Sequence, residues 1–514
     1  MSRVLLFVGT LALVIGLSAS GIIPAGAASG PKGYLIGSAG PLNAGQVQQL
    51  RDAGASVAHV YVNFGGASAR IPSAKIASVR ALPFVTSVNL DTLRQLDAVT
   101  VDSLVPASAL PGTPYWLDLM NAENNSTYDG SGVWVAVLDS GFYPNWRDYL
   151  DEASILTLYA TAFVAAQANQ NNNQWDMGSD PHGMAVSATI VGHRFVDDTN
   201  EGGWGEGFAT GASGTYSVPG VAPGAQIIPV KVCEPIGCFG SAINAGVDYI
   251  TSLKLETGQP IVINESLGGG RLDPTEKAAL DAAIAAGVVV VASAGNGGNA
   301  GMGFPGAYEP VISTGAGGWR DQWNDHPDKT WWLDDVPENG VSEVFVADFS
   351  SRQLTGQYLD VVSAGRFLLL PYPCAQLYHD GQVISSTNVR TCASKATPDN
   401  THSAPFQYLF LSGTSFSAPA VSGIVALMLE ITPTLSNADA AFGTLGNPAS
   451  WGPGSLELML EGAATDIPAD SVVTTFRTGV PDMECWEVGT PASCSLEATG
   501  AGWVFVDDAL AAVP

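Results

Sequence analysis

Leu411-Ser-Gly-Thr-Ser-Phe-Ser-Ala-Pro-Ala-Val-Ser-Gly423 is the stretch on which the reading of this chain turns. A hydroxyl nucleophile needs a turn that presents its Oγ and a helix start that aims backbone N–H groups at the same point. Gly413 permits the turn, Ser415 opens the helix, and Pro419 is expected within the first helical turn, where proline is tolerated. The apolar run Val421 to Leu429 would anchor the helix in a core. A Ser/Thr-rich helix cap without chemistry is the bland alternative when two or three residues match; here the whole stretch matches.

Upstream, Val133-Trp-Val-Ala-Val-Leu138, Gln226 to Val232, Pro260 to Ile263 and Val288 to Ala292 are short and almost continuously apolar, with Ala278 to Ala286 reading as a crossover helix. Such runs belong to strands buried on both faces, so the fold class is α/β, a mainly parallel sheet flanked by helices. Sites in these sheets form beyond the carboxyl ends of the strands. Between Gly33 and about Asp91 a strand is read at Tyr34 to Ile36, a helix at Ala44 to Ala53, a strand at Val57 to Phe64, a helix at Pro72 to Leu82 and a strand at Phe84 to Leu90, an order of β-α-β-β-α-β or close to it. That predicts a small α+β, ferredoxin-like unit ahead of the main domain. The segment after Asp91 carries no pattern of interest.

The chain has 514 residues, 46% hydrophobic and 13% charged, with a net charge of −28. A large core is expected, and nucleic acid and anionic membrane surfaces are excluded as partners by repulsion. Arg3, the apolar stretch Val4 to Leu17 and Ala25-Gly-Ala27 have the form of a secretory signal over residues 1–27. Six cysteines (233, 238, 374, 392, 485, 494) in an exported chain suggest disulfides, most simply between sequence neighbours, although six cysteines allow 15 connectivities. None has the CxxC spacing of a zinc site, and no metal ligand is assigned. Two stretches look like insertions: 317–340, rich in Trp and Asp, and 367–406.

Together these motifs resemble the subtilisin-like serine protease family. Ala136-Val-Leu-Asp-Ser-Gly141 resembles its aspartate strand and Asp180-Pro-His-Gly-Met-Ala-Val-Ser-Ala-Thr-Ile-Val-Gly192 its histidine helix, with Met184 where threonine is usual. Ser293-Ala-Gly-Asn296 resembles the oxyanion loop, and Asn264-Glu-Ser-Leu-Gly268 and Cys238-Phe-Gly-Ser241 resemble the substrate-binding strands. The order Asp, His, Ser is the family's. The resemblance implies a secreted serine endopeptidase with Ser415 as nucleophile, His182 as base, Asp139 as its orienting carboxylate and Asn296 as oxyanion donor. Gly240, Ser266, Leu267, Gly268, Ser293, Ala294 and Gly295 would bind substrate. His193 has no motif around it and reads as structural.

The N-terminal unit resembles the family's inhibitory propeptide. The implied domains are therefore a signal at 1–27, a propeptide at 28–110 and a catalytic domain at 111–514, with the processing cut between Leu93 and Pro114. The expected partners are protein or peptide substrates and the chain's own propeptide as intramolecular inhibitor, around an otherwise monomeric enzyme. No cofactor is required for catalysis, while a structural calcium ion fits the family. For the Trp/Asp insert, calcium binding or an exosite competes with a packed surface loop. Two other functions are weighed: a catalytically silent binding protein of the same fold, and a sedolisin-type acid peptidase, which shares the Ser-Gly-Thr-Ser signature but replaces His with Glu and Asp.

Overall fold

Val135 and Val137 pack into one hydrophobic layer, Ala136 and Leu138 into another, and all four are buried. A strand with no solvent face needs helices on both sides. The computed structural model has that arrangement; it describes residues 32–96, 100–104, 113–165, 174–178, 180–197, 214–319, 336, 344–372, 408–437, 455–467 and 496–514. Trp134–Asp139 lies inside an eight-stranded sheet, between Gln226–Lys231 and Ile261–Glu265. Val289–Ser293 and Ile312–Trp319 follow on the Ile261 side, and these central pairings are all parallel. Val344–Val346 closes that side as an antiparallel edge. Residues 317–319 thus belong to a strand, and the remainder of 317–340 lies outside the described residues apart from Val336.

One face of the sheet is covered by the helices Gly240–Thr257 and Pro274–Ala285, whose Ile250, Leu253, Leu280 and Ile284 join Leu138, Ile228 and Ile263 in one core. The second of these starts four residues earlier than its apolar run suggests. Asp273 accepts from Thr275 N–H and forms a capping box with Glu276, with Pro274 in the first turn, so polar cap chemistry sets the boundary. The helices His182–Val191 and Thr414–Ile431 cover the other face. Thr414–Ile431 is long and apolar enough to cross a bilayer, but 89% of it is buried inside the protein.

Pro419 departs from expectation. It is the sixth residue of the Thr414–Ile431 helix, inside it rather than in its first turn. A proline there removes the N–H that would bond the carbonyl four residues earlier, which belongs to Ser415. That carbonyl accepts instead from Ser266 Oγ at 2.8 Å. The break in the helix ladder is repaired from the neighbouring strand end.

The N-terminal unit has the strand order Ser56–Val60, Gly66–Ile71, Lys32–Ser38, Val85–Leu90, all antiparallel, with helices Ala44–Asp52 and Ile76–Arg80. Tyr34, Ile36, Leu50, Ala69 and Val88 form its own small core. It docks on the Gly240 and Pro274 helices. Tyr61 and Phe64 enter the main core, and the carboxylate of Asp248 accepts from Val62 and Asn63 N–H, both at 2.9 Å. Asp91 accepts from Ser241 N–H at 2.9 Å and Ser241 Oγ at 2.6 Å, satisfying an orphan donor in the first turn of the Gly240 helix.

The patternless segment after Asp91 contains a strand. Leu93–Leu96 runs antiparallel between Gly237–Phe239 and Leu267–Gly268, with Arg94 opposite Cys238, Gln95 opposite Gly268 and Leu96 opposite Leu267. A Cβ on Gly237 would lie 2.5 Å from Arg94 O, so only glycine admits the strand at this distance. A disulfide joins Cys233 to Cys238 beside it. The cysteines at 374, 392, 485 and 494, the signal stretch 1–27 and most of 367–406 lie outside the described residues.

Candidate functional site

Asp139 ends the Trp134–Asp139 strand, and His182 begins the helix that packs beside it. Both are buried, and the imidazole Nδ1 lies 3.0 and 2.9 Å from Oδ1 and Oδ2 of Asp139. Ser140 ties the two elements together: its Oγ donates to Asp180 O at 2.8 Å and accepts from Gly183 N–H at 3.0 Å. A Cβ at position 183 would sit 2.7 Å from Gly141 O, which explains glycine directly after the histidine. Asp180 accepts from His182 N–H at 3.0 Å and from Tyr372 Oη at 3.0 Å. Burial raises the Asp180 carboxyl above its ordinary range, and His182 opposes that rise. Met184 is fully buried, and its Sδ accepts from Tyr143 N–H at 3.3 Å.

Ser415 is the second residue of the Thr414–Ile431 helix, and Phe416 beside it tilts against the His182 ring with centroids 5.9 Å apart. The Ser415 hydroxyl donates to Ser266 O at 3.4 Å, and the reciprocal bond from Ser266 Oγ was described above. Behind them, Asn264 Nδ2 donates to Ser266 Oγ at 2.9 Å, and Ser422 Oγ donates to Asn264 Oδ1 at 3.0 Å. The side chain of Ser266 therefore supports the helix start that carries Ser415, a role not anticipated from the sequence. Asn264 and Ser422 were not anticipated either. The signal was the proline at 419, which demands a replacement donor for Ser415 O.

Asn296 Oδ1 accepts from Thr414 N–H and Thr414 Oγ1, both at 2.9 Å. A backbone N–H only donates, so the side-chain atom it meets is the oxygen and the amide nitrogen points away from Thr414. Gly295 N–H donates to Thr414 Oγ1 at 3.1 Å, and Ser351 holds the loop by accepting from Gly297 N–H at 3.0 Å. Ala294 and Ser293 are buried, and the backbone of Ala294 is bonded to Thr314 O and Gly303 N–H, making it a wall. Gly240 N–H donates to Thr92 O at 2.9 Å, beside the Leu93–Leu96 strand. His193 is buried and stacks on Tyr408 with centroids 5.7 Å apart; burial pushes its pKa down to about 3, which keeps it neutral.

Away from these residues, one ligand atom each from Asp360, Glu457 and Glu461 lies within 4.8 Å of the others. Burial raises all three carboxyls above their ordinary range, Glu461 to about 7. They are hard oxygen donors of the kind calcium takes.

Comparison with known proteins places these features in context. The model of the Subtilase family matches residues 130–459, more than half of the chain. Subtilisin DY from Bacillus licheniformis is 28% identical over 63% of this chain and 86% of its own length. Subtilisin J from Geobacillus stearothermophilus is 26% identical over 84% of this chain and 90% of its own. Among solved structures, fervidolysin from Fervidobacterium pennivorans, described as a keratinolytic enzyme related to subtilisin, superposes with a TM-score of 0.58 at 20% identity. The match covers 94% of this chain and 61% of that structure; at this identity the likeness speaks to fold alone.

Proposed function

The chain belongs to the subtilase family and is a serine endopeptidase, and from that premise we propose that Ser415, His182 and Asp139 form its catalytic triad and that it is made as a self-inhibited, exported zymogen. Ser415 Oγ attacks the peptide carbonyl as His182 takes its proton, because a neutral hydroxyl is a poor nucleophile. Asp139, bonded to Nδ1, holds the tautomer that leaves Nε2 for this transfer and stabilises the imidazolium. The Asn296 amide nitrogen and the Ser415 N–H stabilise the oxyanion, helped by the positive end of an 18-residue helix. The His182 imidazolium gives its proton to the amine nitrogen as the peptide C–N bond breaks, leaving an acyl-Ser415 ester. Water activated by the same base then hydrolyses that ester to the free acid and regenerates the Ser415 hydroxyl.

The observation that carries the zymogen reading is the Leu93–Leu96 strand. It adds a strand between Gly237–Phe239 and Leu267–Gly268, the way an extended peptide is read by an open sheet edge. Leu96 faces Leu267, one residue past the Ser266 carbonyl that receives the Ser415 hydroxyl. We place the processing cut just after this strand, within 97–99. Residues before it then form the propeptide, which remains docked as an inhibitor of the catalytic domain that follows. Export rests on the leader at 1–27, and the Cys233–Cys238 bond suits an oxidising compartment. Protein or peptide chains are the substrates, and the mature enzyme acts as a monomer.

Covalent labelling of Ser415 by a fluorophosphonate in the matured protein tests the catalytic core of this reading; absence of labelling would support the silent binding protein instead. The Asp139–His182 pair disfavours the acid-peptidase alternative, whose chemistry does not use it. A structural calcium ion is included in the proposal, with Asp360, Glu457 and Glu461 as the residues that would hold it. A chelator should lower the melting temperature, and an unchanged melt removes calcium from the account.

A further inference from the structure

The Leu93–Leu96 strand is inverted with respect to hydrophobicity. Leu93 is 46% exposed, while Arg94 beside it is 1% exposed. Alternation along the strand sends Arg94 inward, and what receives it is built for a cation. Nε donates to Glu276 Oε1 at 2.8 Å, Nη2 to Glu276 Oε2, Nη1 to Gly269 O, and Nη2 also to Arg271 O at 3.3 Å. This is the planar, two-pronged recognition that guanidinium supports and ammonium does not. Next to it lies Glu265, fully buried, with no hydrogen-bond partner for either carboxylate oxygen among the described residues. Burial and the nearby Glu276 push its pKa up to about 8, and Arg94 acts against that rise.

Once the strand leaves, Glu276 loses the guanidinium bonded to it, and Glu265 loses the cation that opposes the rise in its pKa. A substrate that returns a guanidinium restores the arrangement; a neutral or acidic side chain leaves Glu276 with only its capping-box bond and the carbonyls of Gly269 and Arg271 without this donor. We propose that the cleft contains an arginine-reading subsite, formed by Glu276 with the carbonyls of Gly269 and Arg271, which selects substrates with arginine two residues before the one facing Leu267. The inference rests on the reading of Leu93–Leu96 as a strand bound like substrate, and it adds a preference that reading does not contain.

The test uses the matured enzyme and quenched fluorogenic peptides with the sequence of residues 90–102, carrying arginine, citrulline, lysine, norleucine or glutamate at position 94. Citrulline keeps the shape and loses the charge. Selection by hydrogen bonds in a buried site predicts a fall in kcat/KM on the order of 10²-fold from arginine to citrulline or norleucine, a smaller fall for lysine, and the largest for glutamate. In Glu276→Gln, which retains the capping-box geometry, the ratio of arginine to citrulline rates should collapse toward one. Equal rates across the panel in the unaltered enzyme overturn the inference while leaving the endopeptidase reading intact. Cleavage of casein without cleavage of the arginine peptide overturns it as well, since the segment is then not read as substrate. If neither casein nor any peptide is cleaved and the fluorophosphonate does not label Ser415, the functional reading itself fails and this inference with it. The panel decides the matter even if Glu276→Gln does not fold.

Discussion

Ser415 and the Leu93–Leu96 strand both reach the Ser266–Gly268 segment, and they reach it by different routes. Asp139, His182 and Ser415 each sit where a local element starts or stops: a strand end, a helix start, a helix start after glycine. Their chemistry needs a particular residue in a particular backbone setting, so it leaves a local trace. Leu93-Arg-Gln-Leu96 has no such trace. Its pairs are with Cys238 and Leu267, far along the chain, and its inward residue is a charged one. The candidate catalytic residues are thus marked locally, while the placement of Leu93–Leu96 is a property of long-range pairing.

The largest effect expected on the local side comes from Ser415→Ala. kcat should fall about 10⁶-fold, the scale seen when the triad serine of subtilisin is removed. The same variant should accumulate as uncleaved full-length chain, visible by intact-mass measurement; normal maturation would mean that another protease makes the cut. Asn296→Ala should lower kcat by about 10²–10³-fold with KM little changed, because its amide nitrogen acts on charge present only in the transition state. A loss confined to KM would move Asn296 from the oxyanion to substrate binding.

On the docking side, burial raises Asp91 to about 6. A carboxyl whose pKa is higher when docked than when free favours docking below its ordinary range, near 4, and loses that contribution as pH rises through about 6. In the Ser415→Ala chain, the melting transition that reports docking should weaken between about pH 4 and 7, by on the order of 2 kcal/mol, and Asp91→Asn should flatten the dependence. A dependence of opposite sign would mean that the bonds from Ser241 outweigh burial.

The smallest effect tests the join between the two regions. Ser266→Ala removes the donor to Ser415 O and should cost about 1–3 kcal/mol in urea melts. Pro419→Ala returns a backbone N–H to the helix ladder, so the cost of Ser266→Ala should shrink by about 1 kcal/mol in that background. Strict additivity would show that the proline does not create the need for Ser266 Oγ.

Much of the architecture was legible. The four apolar runs became parallel strands because a strand buried on both faces has no polar alternation to hide it. The small antiparallel unit was readable from its alternating strands and short helices. Gly66–Ile71 was harder to separate from the preceding strand, since Val57 to Phe64 runs into it with only a brief turn. The Pro274 helix was placed too late because its start lies in Asp273 and Glu276, outside the apolar run. Pro419 was placed too early, because its tolerance depends on a donor from another strand.

Residue type and its immediate backbone setting were sufficient to single out Ser415 as a candidate, and the motifs' resemblance to a known family implied His182, Asp139 and Asn296 beside it. Only the tertiary structure decided what lies against them. It brought Leu93–Leu96 between two edge strands, turned Arg94 toward Glu276, and set Ser266 Oγ under the carbonyl that Pro419 leaves without a helical donor. Those outcomes depend on hydrogen-bonding groups distant in sequence finding each other on folding, and no local pattern encodes which will meet.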